Sequence, residues 1–363
     1  MAELAVGNNS SLATAELLQQ EAWRRESYAI LVPFIGCLCL IAFLANLLVV
    51  AAVPWSKGLV TPTLRLTVSL AVADLFTSIL VLFSLFYNSY LWFVLGITTN
   101  PCISLTNEMM RTGGMLTATV HLLALAVNHY LSIAKPLSYK NMMTPRRALV
   151  LMLVMWVVPS SVMFAYAGGW EGQGLRSRLC LATAMFNSLG YRAVVASLLT
   201  LLFAATCLLY LHILFILRRM RRESTAATAA AVSRERRLMY TTFLILATFF
   251  VGWAPATLHF LTTSADGILR TGFDQFTLMI ISALQLSLIM LKSIINPIIY
   301  AVRIPEIKER LEQLLGGGRK RLGGRRRPPK APPTSAVEKS TAFLAPNEAV
   351  RLLQDPALSE SHL

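Results

Sequence analysis

Long apolar runs alternate with short polar segments along this chain. Seven of the runs have about 20 residues or more, which is the length an α-helix needs to cross the hydrocarbon core of a bilayer. Their approximate ranges are 29–54, 64–88, 105–134, 148–170, 191–217, 237–263 and 276–301. The pattern therefore predicts an all-α fold, a seven-transmembrane helix bundle that covers residues 29–301.

The segments outside the runs have a different character. Residues 1–28 are polar and form the predicted N-terminal tail, with overlapping N-glycosylation acceptors at Asn8 and Asn9. Apolar residues recur at three- and four-residue spacing in 304–315, which predicts a short amphipathic helix on the membrane surface. Residues 316–363 begin with glycines and continue as a basic, proline-rich and then polar stretch, which predicts a disordered tail.

Composition and charge agree with a membrane protein. The chain is 55% hydrophobic and 14% charged, whereas a soluble domain carries about 25% charged residues. The net charge is +15, and the basic residues concentrate in one alternate set of loops, which the positive-inside bias places in the cytoplasm. The N-terminus is then extracellular and the C-terminus cytoplasmic, as in a multi-pass plasma-membrane protein.

The distribution of charge also bears on partners. The basic residues lie between and after the spans, which argues against nucleic-acid binding and favours contact with anionic lipids of the inner leaflet. We find no metal-ligand cluster, phosphate loop or nucleophile motif in the sequence, so we expect neither an enzyme nor a cofactor. The sequence has no internal repeat and no paired broken helices, which argues against the alternative of a transporter or channel.

Individual spans carry polar or proline-containing motifs in a fixed order. They are Asn46 in span 1, Leu70-Ala71-Val72-Ala73-Asp74 in span 2, Trp156 in span 4, Phe249 and Trp253-Ala254-Pro255 in span 6, and Asn296-Pro297-Ile298-Ile299-Tyr300 in span 7. With these motifs, the chain resembles the rhodopsin-like (class A) G-protein-coupled receptors over about residues 29–315.

The resemblance implies a receptor that binds an extracellular ligand and activates a heterotrimeric G protein, with arrestin and receptor kinases as further partners of the tail. It also implies an activation switch inside the bundle. The switch residues carried over from the family are Trp253, Pro255, Phe249, Asp74, Asn46, Lys292, Ser293, Asn296, Pro297, Tyr300 and Tyr210.

Two departures affect the family's sodium pocket around Asp74. Ala118 stands where the family often has a serine, and Lys292 stands where it often has an asparagine. We therefore hypothesise that the Lys292 ammonium pairs with Asp74 and replaces the sodium ion, because burying the two charges together costs far less than burying either alone. The alternative is that Lys292 points elsewhere and Asp74 still binds sodium.

The cytoplasmic end of span 3 departs further. The family has Asp-Arg-Tyr, and this chain has Asn128-His129-Tyr130. Histidine is shorter than arginine and is mostly neutral near neutral pH, so a lock between His129 and Glu235 would be weak. We expect raised basal activity or weakened coupling, and the second outcome defines an alternative, a receptor-like protein that activates G proteins poorly. Leu137, which matches the family's G-protein contact, argues against a silent receptor.

The ligand site is predicted around Arg111. Arg111 occupies the position where amine receptors carry an aspartate, so a cationic amine ligand is not expected. Arginine suits a carboxylate or phosphate, which favours a peptide or an acidic small molecule; the alternative is an internal pair with Glu108. The other candidates are Asn88, Tyr191, Arg192, His259, Ser282 and Gln285. By the resemblance, Cys102 and Cys180 form a disulfide that fixes the outer loop over this site.

Overall fold

The computed structural model describes residues 2–53, 61–222, 240, 243–244, 247–248, 250–263, 272–303, 307–308 and 311–313. Within these residues the fold is helical and contains no strand, which confirms the predicted all-α class. Six helices of the described part are long and apolar enough to cross a membrane. The sixth predicted span, 237–263, is described as a continuous helix only over 250–262.

We number the spanning helices α1 to α7. They are α1 Ala2–Ala52, α2 Pro62–Ser84, α3 Pro101–Ala134, α4 Pro145–Gly168, α5 Leu189–Arg222, α6, which is described as helical at 240, 243–244, 247–248 and 250–262, and α7 Gln275–Arg303. A short helix, Pro136–Met142, follows α3. The loop between α4 and α5 contains the 3-10 turns Gly174–Arg176 and Arg178–Cys180 and the single helical turn Ala184–Asn187.

Helix starts are set by local capping signals. Helices α2, α3 and α4 each begin with a proline, and the preceding Thr61, Asn100 or Thr144 side chain accepts a hydrogen bond from a first-turn backbone N–H. These caps place the starts a few residues before the predicted apolar runs. Asp274 precedes α7, and a hydrogen bond from Thr277 lowers the pKa of its carboxyl group below the ordinary value.

The N-terminal end of the bundle differs from the prediction. Helix α1 begins at Ala2 rather than near residue 29, because many of the residues before the apolar run are good helix formers such as Ala, Leu, Glu and Gln. Its membrane-length part is Leu18–Ala52. Of the predicted surface helix, Ile307 is fully buried and Leu311 packs against the same cluster, whereas 314–363 lie outside the described residues.

The C-terminal end of α2 continues as a π-helix, Leu85–Val94. Stacked ring pairs run along it, with Phe83 and Tyr87 at 5.1 Å and Phe86 and Tyr90 at 6.0 Å between centroids. The prediction ended this span at residue 88 and did not anticipate the π-helix. The wider turn continues the second span toward the loop that leads to α3.

The distribution of side chains is that of a membrane bundle. Large apolar residues such as Leu201, Phe215 and Leu258 are exposed on the outside, where lipid covers them. Polar and charged side chains are buried inside, among them Asn46, Asp74, His121, Lys292 and Asn296. Side chains whose exposure to lipid would cost free energy are therefore placed together at the centre of the bundle.

Candidate functional site

The centre of the site is a buried ion pair between α2 and α7. Asp74 and Lys292 are 2% and 3% exposed, and the Lys292 Nζ lies 2.5 Å from Asp74 Oδ1. The Asn296 amide donates to the second carboxylate oxygen, Oδ2, at 2.7 Å. The two charges and the amide thus satisfy one another, which a buried pair requires if it is not to be strongly destabilising.

Pro297 explains why Asn46 belongs to the same site. A proline inside a helix has no N–H, so the carbonyl four residues earlier, that of Ser293, loses its helical donor. The Asn46 side-chain amide donates to this carbonyl at 3.0 Å and to the Ala42 carbonyl at 2.9 Å. A side chain of α1 therefore supplies the hydrogen-bond donor that the α7 backbone lacks at its proline.

The site extends to α6 through Thr248. Its hydroxyl donates to Asn296 Oδ1 at 3.2 Å, while Asn296 holds Asp74 with its amide. One side chain of α7 thus connects α2 to α6. Four helices, α1, α2, α6 and α7, meet in this group of polar contacts, which we call the central polar cluster: Asn46, Asp74, Thr248, Lys292, Ser293 and Asn296.

The central polar cluster does not fit a sodium ion. Both oxygens of Asp74 are already engaged, one by an ammonium and one by an amide. Ala118 is buried in α3 and offers no side-chain oxygen. Sodium needs several oxygen ligands, and a second cation beside the Lys292 ammonium would be repelled.

The other predicted switch residues are dispersed along α5, α6 and α7. Trp253 is buried against the core, whereas Pro255 is exposed on the outside of α6. Tyr210 and Tyr300 are both fully buried. Phe249 lies outside the described residues, so its predicted role in the activation switch stays a prediction.

Asn128 ties the C-terminal end of α3 to two neighbours. Its amide donates to Thr63 Oγ1 of α2 at 2.8 Å, and its Oδ1 accepts from the Tyr139 hydroxyl at 3.0 Å. Tyr139 belongs to the short helix Pro136–Met142. The neutral amide thus serves as donor to one element and acceptor from another.

His129 points into the bundle. It is 2% exposed, and its ring centroid lies 6.5 Å from that of Tyr210 on α5. Tyr130 lies beside His212, with 5.7 Å between ring centroids. Glu235, the predicted partner of His129, lies outside the described residues. Leu137 is 96% exposed on the short inner helix.

An outer cavity of about 500 Å³ lies between α3, α5 and the loop that follows α4. Of the predicted ligand residues, Asn88, Glu108, Tyr191 and Arg192 line it. Arg111 and Gln285 line a smaller cavity of about 70 Å³ that shares Glu108 with the outer one and reaches Trp253. The two adjacent cavities together are lined by six of the predicted site residues.

Arg111 is held by Glu108. The guanidinium makes two contacts with this carboxylate, Nη2 to Oε1 at 2.5 Å and Nε to Oε2 at 3.0 Å. The internal pair that the sequence left as an alternative is thus present. Such a fork-to-carboxylate contact fixes the direction of the guanidinium plane.

The remaining candidates serve other contacts. Arg192 donates to the Phe260 carbonyl and to Thr263 Oγ1, at 2.8 and 2.9 Å, and so joins α5 to the outer end of α6. Ser282 and His259 lie 3.3 Å apart, between the hydroxyl and Nε2. Ser282 lines a separate cavity near α1 and α7 rather than the one beside Arg111.

Cys102 and Cys180 form the predicted disulfide. The bond joins the first turn of α3 to the loop after α4, and Cys180 lines the outer cavity. The sequence separation of the two cysteines is 78 residues. The disulfide therefore fixes the loop after α4 at the wall of the outer cavity.

Sequence reasoning missed one buried polar group. Trp156 Nε1 of α4 donates to Ser69 Oγ of α2 at 3.1 Å, and this hydroxyl lies 2.7 Å from His121 Nε2 of α3. His121 Nδ1 lies 2.8 Å from the Thr117 carbonyl. The indication in the sequence was a histidine inside span 3, together with a serine and a tryptophan in the flanking spans.

Comparisons with known proteins agree with this arrangement. Residues 45–300 match the family described as 7 transmembrane receptor (rhodopsin family). Melanocortin receptor 4 of Danio rerio is 28% identical over 291 residues, 76% of this chain and 80% of the relative. Lysophosphatidic acid receptor 3 of Rattus norvegicus is 25% identical over 284 residues, 76% of each chain.

A shorter similarity joins a third relative. The 5-hydroxytryptamine receptor 1A of Xenopus laevis is 35% identical over 155 residues, 41% of this chain and 37% of the relative. Receptors of this family are not enzymes, and the match sets aside the transporter and channel alternative. From the span pattern, the buried cluster and the match over residues 45–300, the chain belongs to the rhodopsin family of seven-transmembrane receptors.

Proposed function

We propose that the protein is a plasma-membrane receptor that binds an extracellular ligand in the outer cavity and activates a heterotrimeric G protein. The observation that carries this proposal is the central polar cluster, in which a buried charge pair between α2 and α7 is hydrogen-bonded to α6. Buried polar groups with two alternative sets of partners are suited to switching between discrete arrangements. Its N-terminus is then extracellular and its C-terminus cytoplasmic, as the loop charges favour.

We propose a peptide or an acidic small molecule as the ligand. Glu108 is the acidic side chain among the described residues that line the outer cavity, and Arg111 occupies both of its oxygens. An ammonium ligand would have to displace this guanidinium. The guanidinium itself has five N–H donors, of which Glu108 uses two, so further donors remain for a ligand carboxylate or phosphate. The relatives are named for melanocortin, lysophosphatidic acid and 5-hydroxytryptamine, so their names do not choose among ligand classes.

The test is a nucleotide-exchange assay on membranes with a panel of purified G proteins. We expect exchange to respond to members of a peptide or organic-acid collection and not to amines. Arg111→Gln should raise the ligand concentration for half-maximal exchange at least about tenfold, because a hydrogen bond to a charged group contributes about 1.5–3 kcal/mol. Arg176→Gln in the outer loop is the matched control. A response to an amine that survives Arg111→Gln would contradict the ligand class.

A second candidate function is a receptor-like protein with weak coupling. The observation that favours it is the burial of His129 against α5, since a short side chain directed inward is not available at the cytoplasmic surface. In that case His129→Arg should raise basal or ligand-stimulated exchange about tenfold, because a hydrogen bond made by a charged group contributes about 1.5–3 kcal/mol. His212→Arg, at an exposed position of α5, is the control. Equal exchange in all three receptors would make the histidine neutral for coupling.

Partners on the cytoplasmic side follow from the proposed orientation. Arrestin and receptor kinases are proposed for the tail on the basis of its Ser and Thr residues, which lie outside the described part of the chain. Anionic inner-leaflet lipids are proposed for the basic clusters, with about 1 kcal/mol of attraction per residue near the surface.

A further inference from the structure

Gly252 lies in α6 directly opposite Lys292. A Cβ atom built on Gly252 would lie 2.9 Å from Lys292 Cβ, 3.3 Å from Lys292 Cγ and 3.3 Å from the Leu288 carbonyl oxygen. The first and last of these atoms are fixed to the backbone of α7, so they cannot move aside as a flexible side-chain tip can. Only glycine permits this approach of the two helices.

The same stretch of α7 carries both contacts to Asp74. Lys292 engages one carboxylate oxygen and Asn296, one turn further along, engages the other. Each of these residues also meets α6 at successive turns. Lys292 packs against Gly252, and Asn296 accepts a hydrogen bond from Thr248, four residues before Gly252. A shift of α6 relative to α7 would therefore also move the two α7 side chains that contact Asp74.

We infer that Gly252 is a positioning residue for the Lys292–Asp74 pair: the missing side chain lets α6 press the stem of Lys292 into the direction in which its ammonium reaches Asp74. A side chain at 252 has to push either α6 away from α7 or the lysine stem away from α2. Glycine is among the least favourable residues in a helix interior, so its presence here is explained by the close contact rather than by helix stability.

This inference rests on the ion pair of the proposed switch but not on ligand binding or G-protein activation. It also explains why the central polar cluster does not fit a sodium ion. The cation beside Asp74 belongs to the chain, and α6 holds it in place. A change at the α6–α7 contact would act directly on the charge that neutralises Asp74.

The experiment compares Gly252→Ala in two backgrounds of the purified receptor, without ligand or G protein. One background is the native pair, and the other is Asp74→Asn with Lys292→Met, which removes both charges and keeps Cβ and Cγ at position 292. The added methyl group meets the same atoms in both backgrounds, but only the first has an ion pair to lose. A double-mutant cycle of this kind isolates the coupling.

We expect Gly252→Ala to lower the Tm in the native background by at least about 3 °C more than in the neutral one. Gly36→Ala is the matched control, because a Cβ there would lie 3.4 Å from the mobile Leu82 Cδ1 and should have equal effects in both backgrounds. An equal loss of Tm for Gly252→Ala in both backgrounds would mean a steric role alone and would overturn the inference.

Two further readouts keep the test decisive. If Gly252→Ala yields no folded receptor in the native background, recovery of folded receptor in the neutral background supports the inference, and failure in both overturns it. If the neutral background itself does not fold, the labelling rate of Lys292 by acetic anhydride in membranes is measured by mass spectrometry. Gly252→Ala should increase that rate at least about tenfold, and an unchanged rate overturns the inference. A receptor that activates no G protein leaves these results unaffected.

Discussion

Lys292 supplies a positive charge that cannot dissociate from the receptor. Its ammonium is buried beside Asp74, and removing one member of a buried pair costs about 3–5 kcal/mol because the other charge is left uncompensated. The identity of the two residues made this pair predictable from sequence. Asn296, which donates to the second carboxylate oxygen of Asp74, was predicted as a member of the switch but not as the partner of that oxygen.

A sodium titration tests this arrangement at the level of one side chain. We expect the Tm of the purified native receptor to be the same in sodium chloride and in N-methyl-D-glucamine chloride at equal ionic strength. In Lys292→Met the carboxylate has no ammonium, so sodium should raise the Tm by about 2 °C or more through binding to the folded state. Arg176→Met, on the outer loop, is the control. Stabilisation of the native receptor by sodium, to the extent seen in Lys292→Met, would contradict the pairing.

At the scale of elements, the inner end of α3 is a junction held by one amide. Asn128 joins α3 both to α2 and to the short helix Pro136–Met142. Where the family has an acid, this chain has a group that donates as well as accepts. The short helix also carries the exposed Leu137, so its anchoring affects the surface proposed to meet the G protein.

Removing that amide should loosen the short helix. Asn128→Ala deletes both hydrogen bonds, each of which contributes about 1 kcal/mol, and backbone amides of 137–142 should exchange with solvent about tenfold faster. Tyr139→Phe deletes one of the two bonds and should give a smaller acceleration. Hydrogen exchange followed by mass spectrometry provides the measurement. Unchanged exchange in Asn128→Ala would show that the helix is held by other contacts.

The sequence predicted the existence of the helices better than their ends. The bilayer sets a minimum length for an apolar run, so the spans could be located directly. Their starts depend on single caps such as Thr61 and Asn100, which hydropathy does not register. The π-helix Leu85–Val94 has the same apolar character as the α-helix it extends, so no period in the sequence separates the two.

At the scale of the whole molecule, the disulfide Cys102–Cys180 closes a long covalent loop of the chain. A bridge across 78 residues stabilises a fold by about 4.5 kcal/mol in the chain-entropy account. Cys102→Ser should therefore lower the Tm by several degrees, and it should weaken ligand-stimulated exchange because the outer cavity loses a fixed wall. Cys37→Ser, at a free and exposed cysteine, is the control. Native Tm and native exchange in Cys102→Ser would show that the loop is positioned without the bond.

The ligand site was the part that sequence reasoning resolved least. Spacing alone allowed Arg111 either to face an open cleft or to pair with Glu108, and only the side-chain conformation distinguishes the two. Spacing likewise grouped Ser282 with Arg111, although the two residues line different cavities. Gly252 was visible in the sequence, but its contact with Lys292 depends on the distance between two helices, which no local pattern encodes.

The contact of Trp156, Ser69 and His121 has a consequence for where its protons reside. An indole N–H can only donate a hydrogen bond and a peptide carbonyl can only accept one. The direction of the hydrogen bond is therefore fixed at Trp156 and at the Thr117 carbonyl, the two ends of this series of contacts. Nδ1 then carries a hydrogen toward the Thr117 carbonyl, and in the neutral imidazole the serine gives its own hydrogen to Nε2. Helices α2, α3 and α4 thus share one imidazole, and its neutral form can exist here in a single tautomer, the one protonated at Nδ1.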